Sequence, residues 1–383
     1  MQSSLIFLTS YLLVFFSIPM IIKVAFQKRL FDEPLELRKI HKKIVPNLGG
    51  IAIFSAFVFS SSLFIPQRYL PEGNLMMAAG LVIFMTGLKD DIVGLSPTIK
   101  FVAQFLSAII VAVVADIRIE NLYGLLGYFE LHYYTSITLT IFFMVGVMNA
   151  FNLIDGIDGL AGTLALICSL TYAFLFFKAG QTGWFLMSLS LAGSLLGFLY
   201  FNITPAKIFM GDSGSLVLGY VASIFSLKFL SLESLLHVHV GAFNLNYASG
   251  IVLAILIIPI FDTLRVFTLR ILKNKSPFTA DANHLHHRLL FIGLSHIQAT
   301  FILGLCNLLF ILLALSMQDF SPGQTVAAIT LVALFANGCL SVYIESYKRR
   351  LFSPLRTEKS DYDSKRLSKR PVVEEVLDKY SEN

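Results

Sequence analysis

The sequence predicts an all-α polytopic integral membrane protein of about eleven transmembrane helices, with the N-terminus outside and the C-terminus cytoplasmic. Composition is the first reason. Hydrophobic residues make up 56% of the 383 positions and charged residues 14%, where soluble domains carry about 25% charge; the mean hydropathy is +0.75. Recurring apolar runs of about 20 residues, enough to cross roughly 30 Å of hydrocarbon, are the second. Third, Lys and Arg gather in alternate loops.

The candidate spans are 5–26, 48–66, 75–88, 99–116, 135–151, 159–177, 183–201, 213–230, 248–272, 298–316 and 324–345. The first lacks a basic leader and a small-residue cleavage site, so it reads as a retained span rather than a signal peptide. The third is short, and only a polar motif separates the fifth from the sixth, so ten or twelve spans also fit. Between the fourth and fifth, Ile117–Leu131 alternates partially about central glycines, which suggests a small periplasmic β-hairpin. His237 and His239 resemble a metal pair but read better as an exposed strand or loop. Cys168, Cys306 and Cys339 lie in apolar runs without paired spacing, as small core or lipid-facing residues. No internal repeat is visible. The chain divides into a transmembrane domain, 1–347, and a basic cytoplasmic tail, 348–383.

Loop charge orients these spans. Lys28, Arg29, Arg38, Lys39, Lys42 and Lys43 crowd the first loop; Lys273, Lys275 and Arg288 lie before the tenth span, and the tail is basic. The intervening loops hold little beyond Arg68, Arg118 and Lys178. The odd-numbered loops are therefore assigned to the cytoplasm. The net charge of +5 is mainly an orientation signal with some attraction to anionic membrane lipid. Nothing in it points to nucleic acid.

The loops with clustered acids, amides and histidines all fall on that same side. Asn149-Ala150-Phe151-Asn152-Leu153-Ile154-Asp155-Gly156-Ile157-Asp158-Gly159 is the most telling. Its three-residue spacing brings Asn149, Asn152 and Asp155 to one helix face, and its glycines allow a ligand close to the backbone. A polar loop or a capped helix end is the bland alternative. In Lys89-Asp90-Asp91, just past a span, adjacent carboxylates call for a cation, naturally a hard divalent ion, unless Asp91 is simply a helix cap. Phe209-Met210-Gly211-Asp212-Ser213-Gly214-Ser215 sets an aromatic platform beside an acid where a helix opens with free amides that favour an anion; Asp212 could also be a plain N-cap. Asp281-Ala282-Asn283-His284-Leu285-His286-His287-Arg288 suits phosphate or sugar hydroxyls better than zinc, and a solvated basic loop is its alternative. Together these motifs suit a doubly phosphorylated soluble donor and a lipid acceptor, since phosphoryl transfer needs a metal, in-line positioning and charge neutralisation. A secondary transporter of an anionic solute is the competing class, but it would place its acids near the bilayer midplane.

Over residues 35–300 the chain resembles the polyprenyl-phosphate N-acetylhexosamine-1-phosphate transferases. The resemblance rests on Pro46-Asn47-Leu48-Gly49-Gly50, Lys89-Asp90-Asp91, Asn149 through Gly162, the Phe209–Ser215 stretch and His284-Leu285-His286-His287-Arg288. It implies a Mg²⁺-dependent enzyme of the bacterial inner membrane, with Mn²⁺ as a substitute, whose active site faces the cytoplasm. Such an enzyme moves a sugar-1-phosphate from a UDP-sugar to undecaprenyl phosphate and releases UMP; a homodimer is compatible with it. The resemblance also implies roles. Asp212 is the principal metal ligand with Asn152 nearby, and Asp90 and Asp91 lie beside the metal. Asp155 and Asp158 line the nucleotide site and complete the catalytic acids. Phe209 stacks on uracil, Lys42 sits at the edge, Asn149 belongs to the substrate-binding set, and His284, His286, His287 and Arg288 meet the sugar and diphosphate.

The branch that makes the peptidoglycan lipid intermediate, a phospho-N-acetylmuramoyl-pentapeptide transferase, shows three consecutive histidines after a proline and a Thr-Pro-Thr near its start. This chain has His284-Leu285-His286-His287-Arg288 and Val45-Pro46-Asn47 instead. That departure points to initiation of O-antigen, teichoic-acid or related surface glycans, commonly from UDP-N-acetylglucosamine, though relatives use N-acetylgalactosamine and rarer donors.

Overall fold

A computed structural model describes residues 1–30, 45–232, 248–276, 283–317 and 319–357, with the side chains of 126 and 351–357 excepted. Lys42, His237 and His239 lie outside the described residues, as does the tail beyond Thr357. The fold is all-α and polytopic. In order it runs α1 (Gln2–Lys28), α2 (Gly49–Phe64), α3 (Gly73–Val93), α4 (Pro97–Ile109, extended by a π turn over Ile110–Val114), α5 (Tyr133–Ile154) and α6 (Leu160–Lys178). It continues with α7 (Thr182–Asn202), α8 (Asp212–Leu232), α9 (Ala248–Leu272), the short α10 (Leu285–Phe291), α11 (His296–Ser316) and α12 (Pro322–Thr357). Every predicted span has a helix. Among the described residues nine helices are long and apolar enough to cross a membrane; α2 is shorter, and α3 ends in charge.

Residues 1–333 form one compact unit, and the chain from Leu334 onward forms a second. In the first, α8 is the buried centre, packed by α2, α3, α5, α6 and α9. Small residues let the helices approach: a Cβ on Gly219 would fall 2.5 Å from the Met148 Cα of α5, and one on Gly193 would fall 2.3 Å from the Phe7 carbonyl of α1. Pro259 cannot donate to Ile255, four residues earlier in α9. The buried Asn307 of α11 meets that gap, donating to the Ala254 and Ile255 carbonyls at 2.9 and 3.2 Å. The surface carries exposed Phe16, Phe142, Phe301 and Leu312, as a lipid-facing exterior requires. Cys168 is buried, Cys306 half-buried and Cys339 exposed; all three are free thiols. In the second unit the distal part of α12 exposes Phe335, Val342 and Tyr343.

Two local expectations need restating. Lys89-Asp90-Asp91 is not in a loop: α3 continues to Val93 and stops at Gly94, whose φ of +71° and N–H bond to the Asp90 carbonyl close the helix. The Ile117–Leu131 segment does turn back on itself, through an antiparallel bridge between Asn121 and Glu130. The Leu122 and Leu131 amides donate to the Phe129 and Glu120 carbonyls.

Candidate active site

The head of α8 is the meeting point. A Cβ on Gly87 of α3 would lie 2.6 Å from the Asp212 carbonyl, and one on Gly50 of α2 would lie 2.2 Å from the Gly214 nitrogen. Gly211, with φ +74°, turns the chain into α8, where a side chain would strike the Asn47 carbonyl and the Asp91 carboxylate. Three backbone bonds of 2.9 Å join the Pro46–Gly50 segment to Phe209 and Met210. That motif is thus the clasp beneath the Phe209–Asp212 turn. The buried Asn202, which no motif marked, ties this turn to the Asn/Asp loop. It donates to the Ile208 carbonyl at 2.8 Å and accepts the Gly159 N–H at 2.9 Å.

Asp90 and Asp91 diverge because successive helical residues differ by about 100° in direction. Asp91 accepts the backbone N–H groups of Asp212 at 2.7 Å and Ser213 at 3.0 Å. An anion does occupy the free amides of α8, and it is the protein's own. Asp90 accepts the Leu95 N–H at 2.6 Å and meets the Lys100 ammonium at 2.8 Å. Lys100 reaches the Asp212 carboxylate at 2.7 Å. A cation does stand between Asp90 and Asp212, and it is a lysine from the first turn of α4. Pro97 at the helix start sets that turn.

The amides of the Asn/Asp motif split between two neighbours. Asn152 donates to Ser215 Oγ at 3.0 Å and faces Asp212. Asn149, one turn back, donates to Gln104 of α4 at 2.6 Å and to the Val145 carbonyl. Asp155 ends α5. Loss of hydration, then the negative charges of Asp212 and Asp91, push its carboxyl up to about 7. Asp158 turns the other way. Its Oδ1 lies 3.4 Å from His296 Nδ1, Ala206 donates to its Oδ2 at 3.3 Å, and Thr300 donates to its carbonyl at 3.0 Å.

The histidine loop reaches the Asn/Asp loop through His286. His286 is buried against Gly156, where a Cβ would lie 2.2 Å from its Nε2. Burial first, then the neighbouring His287, hold its ring far below the usual imidazole range, at about 3, so it is neutral at physiological pH. His284 and His287 flank it, with centroids 5.7 and 4.2 Å away. His284 itself is held by Asp262 of α9, another residue outside every motif, at 2.9 Å. Burial, followed by the nearby Arg265, brings Arg288 down to about 10, so it remains charged at neutral pH. Phe209, in the turn that leads into Asp212, is 39% exposed and accessible to a flat ligand.

Asp212 and Asp90 form a pair of hard-oxygen donors, with the Asn152 amide beside Asp212, in a place that already accommodates a positive charge. Among the described residues no three or more His, Cys, Asp or Glu form a complete metal group. The carboxylates of Asp212 and Asp90 are donors of the kind Mg²⁺ takes, since it binds one or two carboxylates and completes its shell with water or substrate phosphate.

The sequence profile described as Glycosyl transferase family 4 matches residues 74–230, a stretch that holds the α3 acids, Lys100, the Asn/Asp loop and the head of α8. The chain is 35% identical over 337 residues to a probable undecaprenyl-phosphate N-acetylglucosaminyl 1-phosphate transferase of Bacillus subtilis, covering 86% of this chain and 88% of that one. It is 32% identical to a decaprenyl-phosphate N-acetylglucosaminephosphotransferase of Mycolicibacterium smegmatis, over 85% and 84% of the two chains. An undecaprenyl-phosphate alpha-N-acetylglucosaminyl 1-phosphate transferase of Yersinia pestis is 28% identical, over 89% and 93%.

Proposed function

The chain belongs to glycosyl transferase family 4 and is a membrane phosphotransferase, and we propose that it moves N-acetylglucosamine 1-phosphate from UDP-N-acetylglucosamine to undecaprenyl phosphate. One observation carries this reading: Asp90 and Asp212 converge on a single cation, 2.8 and 2.7 Å away, and the exposed Phe209 lies in the turn that leads into Asp212. The names of the relatives supply the acceptor and the sugar. A phosphate oxygen of the lipid attacks the donor phosphorus that carries the sugar. The bond to the other phosphate breaks, UMP departs, and a lipid-linked diphosphosugar remains. A phosphate dianion is already a nucleophile, so no covalent relay through an aspartate is needed.

Asp212, with Asp90 and Asn152, would hold Mg²⁺, which supplies charge neutralisation for the donor diphosphate. Lys100 then serves as a mobile counter-charge, released from Asp212 toward phosphate oxygens. Phe209 stacks on uracil. Asp155 lines the nucleotide site, and His284, His287 and Arg288 meet the sugar and diphosphate. The basic loops support a cytoplasmic active site in the bacterial inner membrane, and the reaction initiates a cell-surface polysaccharide.

Purified protein in detergent, given radiolabelled UDP-N-acetylglucosamine, Mg²⁺ and undecaprenyl phosphate, should release UMP and form a labelled lipid only when the acceptor is present. A panel of other UDP-sugars fixes the donor. Absence of transfer from all of them, with solute uptake into proteoliposomes, would replace this reading with the transporter.

A further inference from the structure

Asp262 lies on α9, 1% exposed, and uses both carboxylate oxygens. Oδ2 meets His284 Nδ1 at 2.9 Å; Oδ1 accepts the Leu285 N–H at 2.9 Å and Arg265 at 3.1 Å. Arg265 also donates to the Asn283 carbonyl. One buried carboxylate and its arginine therefore grip three consecutive residues where the histidine loop enters α10. An imidazole nitrogen that faces a carboxylate carries a hydrogen, so Nδ1 is the donor and Nε2 is the ring's remaining polar atom. The arrangement propagates: the His284 ring stacks on His286 at 10° between planes, and His286 sits on Gly156 of the Asn/Asp loop.

We propose that Asp262 is a positioning residue for transfer, locking His284 so that Nε2 is offered to the sugar-phosphate end of the donor nucleotide. The inference rests on the transferase reading above. Two groups gripped at their backbone alone would need no imidazole; the Nδ1 contact adds a defined tautomer and ring direction. Asp262 also acts on both Arg265 and Arg288, so it offsets the repulsion between the two guanidinium groups before an anionic donor arrives.

The test uses Asp262→Asn and His284→Asn in the full-length protein. The asparagine at 284 can still donate to Asp262 from the place of Nδ1 but has no counterpart of Nε2. Each change should cut turnover about 10- to 100-fold while UMP affinity and the melting temperature stay near wild type for His284→Asn. The double variant should be no worse than the poorer single, because both act through one contact. Histidine ¹⁵N spectra, assigned by loss of the signal in His284→Asn, should show the Nδ1–H form in the wild type and the Nε2–H form in Asp262→Asn. Near wild-type turnover in His284→Asn, or an unchanged His284 spectrum in Asp262→Asn, would overturn the proposal. If Asp262→Asn does not fold, turnover of His284→Asn decides. If the wild type itself releases no UMP, the transferase reading fails, and the wild-type spectrum still decides the tautomer: an Nε2–H form overturns the proposal.

Discussion

Lys100 holds its ammonium 2.7 Å from the Asp212 carboxylate, linking the first turn of α4 to the first residue of α8. A monovalent side-chain cation thus stands where a divalent ion would neutralise the same acids. A divalent ion bound there as proposed would compete with Lys100 for the same charge, which would make the lysine part of the ion's binding equilibrium.

Lys100→Met keeps the apolar stem and removes the charge. Transfer should fall about tenfold or more, because the diphosphate loses a counter-charge. The Mg²⁺ concentration for half-maximal activity should fall as well, since the ion no longer displaces an ammonium. A Mg²⁺ titration of UMP release measures both; an unchanged half-saturation would show that lysine and ion do not share the site.

Asp91 and Asp212 should separate into structural and chemical roles. Asp91→Ala strips the Asp212 and Ser213 amides of their acceptor, a capping loss of about 0.5–2 kcal/mol. Melting temperature and activity should drop together. Asp212→Asn keeps its own N–H on Asp91, so the fold should hold while transfer falls on the order of a hundredfold or more. Equal loss of stability in both variants would put Asp212 in the scaffold.

Asp155 gives a pH signature in divalent-free protein. Its folded pKa, about 7, exceeds the ordinary 3.8, so between these values the folded chain holds the proton more firmly than the unfolded one. Its contribution to stability is therefore fully present below about pH 4 and is lost as pH rises toward 7. Thermal unfolding from pH 5 to 8 should show a decline in the wild type that is shallower in Asp155→Asn. Parallel curves would remove Asp155 from the group of interacting acids.

Phe209→Ala tests nucleotide stacking apart from chemistry. Loss of a base–aromatic contact costs about 1–3 kcal/mol. It should appear as a higher KM for the UDP-sugar and weaker UMP inhibition, with turnover at saturation changed less. A variant that loses thermal stability with UMP affinity intact would mark Phe209 as packing.

Orientation can be read with thiols. In a background lacking Cys168, Cys306 and Cys339, a cysteine at Ser276 should react with an impermeant reagent only after cells are opened. One at Gln67 should react once the outer envelope alone is permeabilised. The reverse pattern would move the proposed site to the other face.

Span positions and helical class were determined by the sequence itself, because apolar length and backbone hydrogen bonding within one segment decide them locally. The clustering of Asp90, Asn152, Asp155 and Asp212 was legible for a related reason: polar groups beside apolar spans have few uses there other than function. The end of α3 was misplaced because charged residues look like a loop, whereas Gly94 is the real stop. Only the tertiary structure decided which cation and which anion meet the acids and amides. The Lys100–Asp212 pair spans 112 residues and the Asp91–Asp212 bond 121. Asp262 on His284 and Asn202 on Gly159 are likewise brought together by packing. Such partners leave no periodic or spacing signal, because a hydrogen bond depends on where two helices cross and not on the residues beside either of its ends.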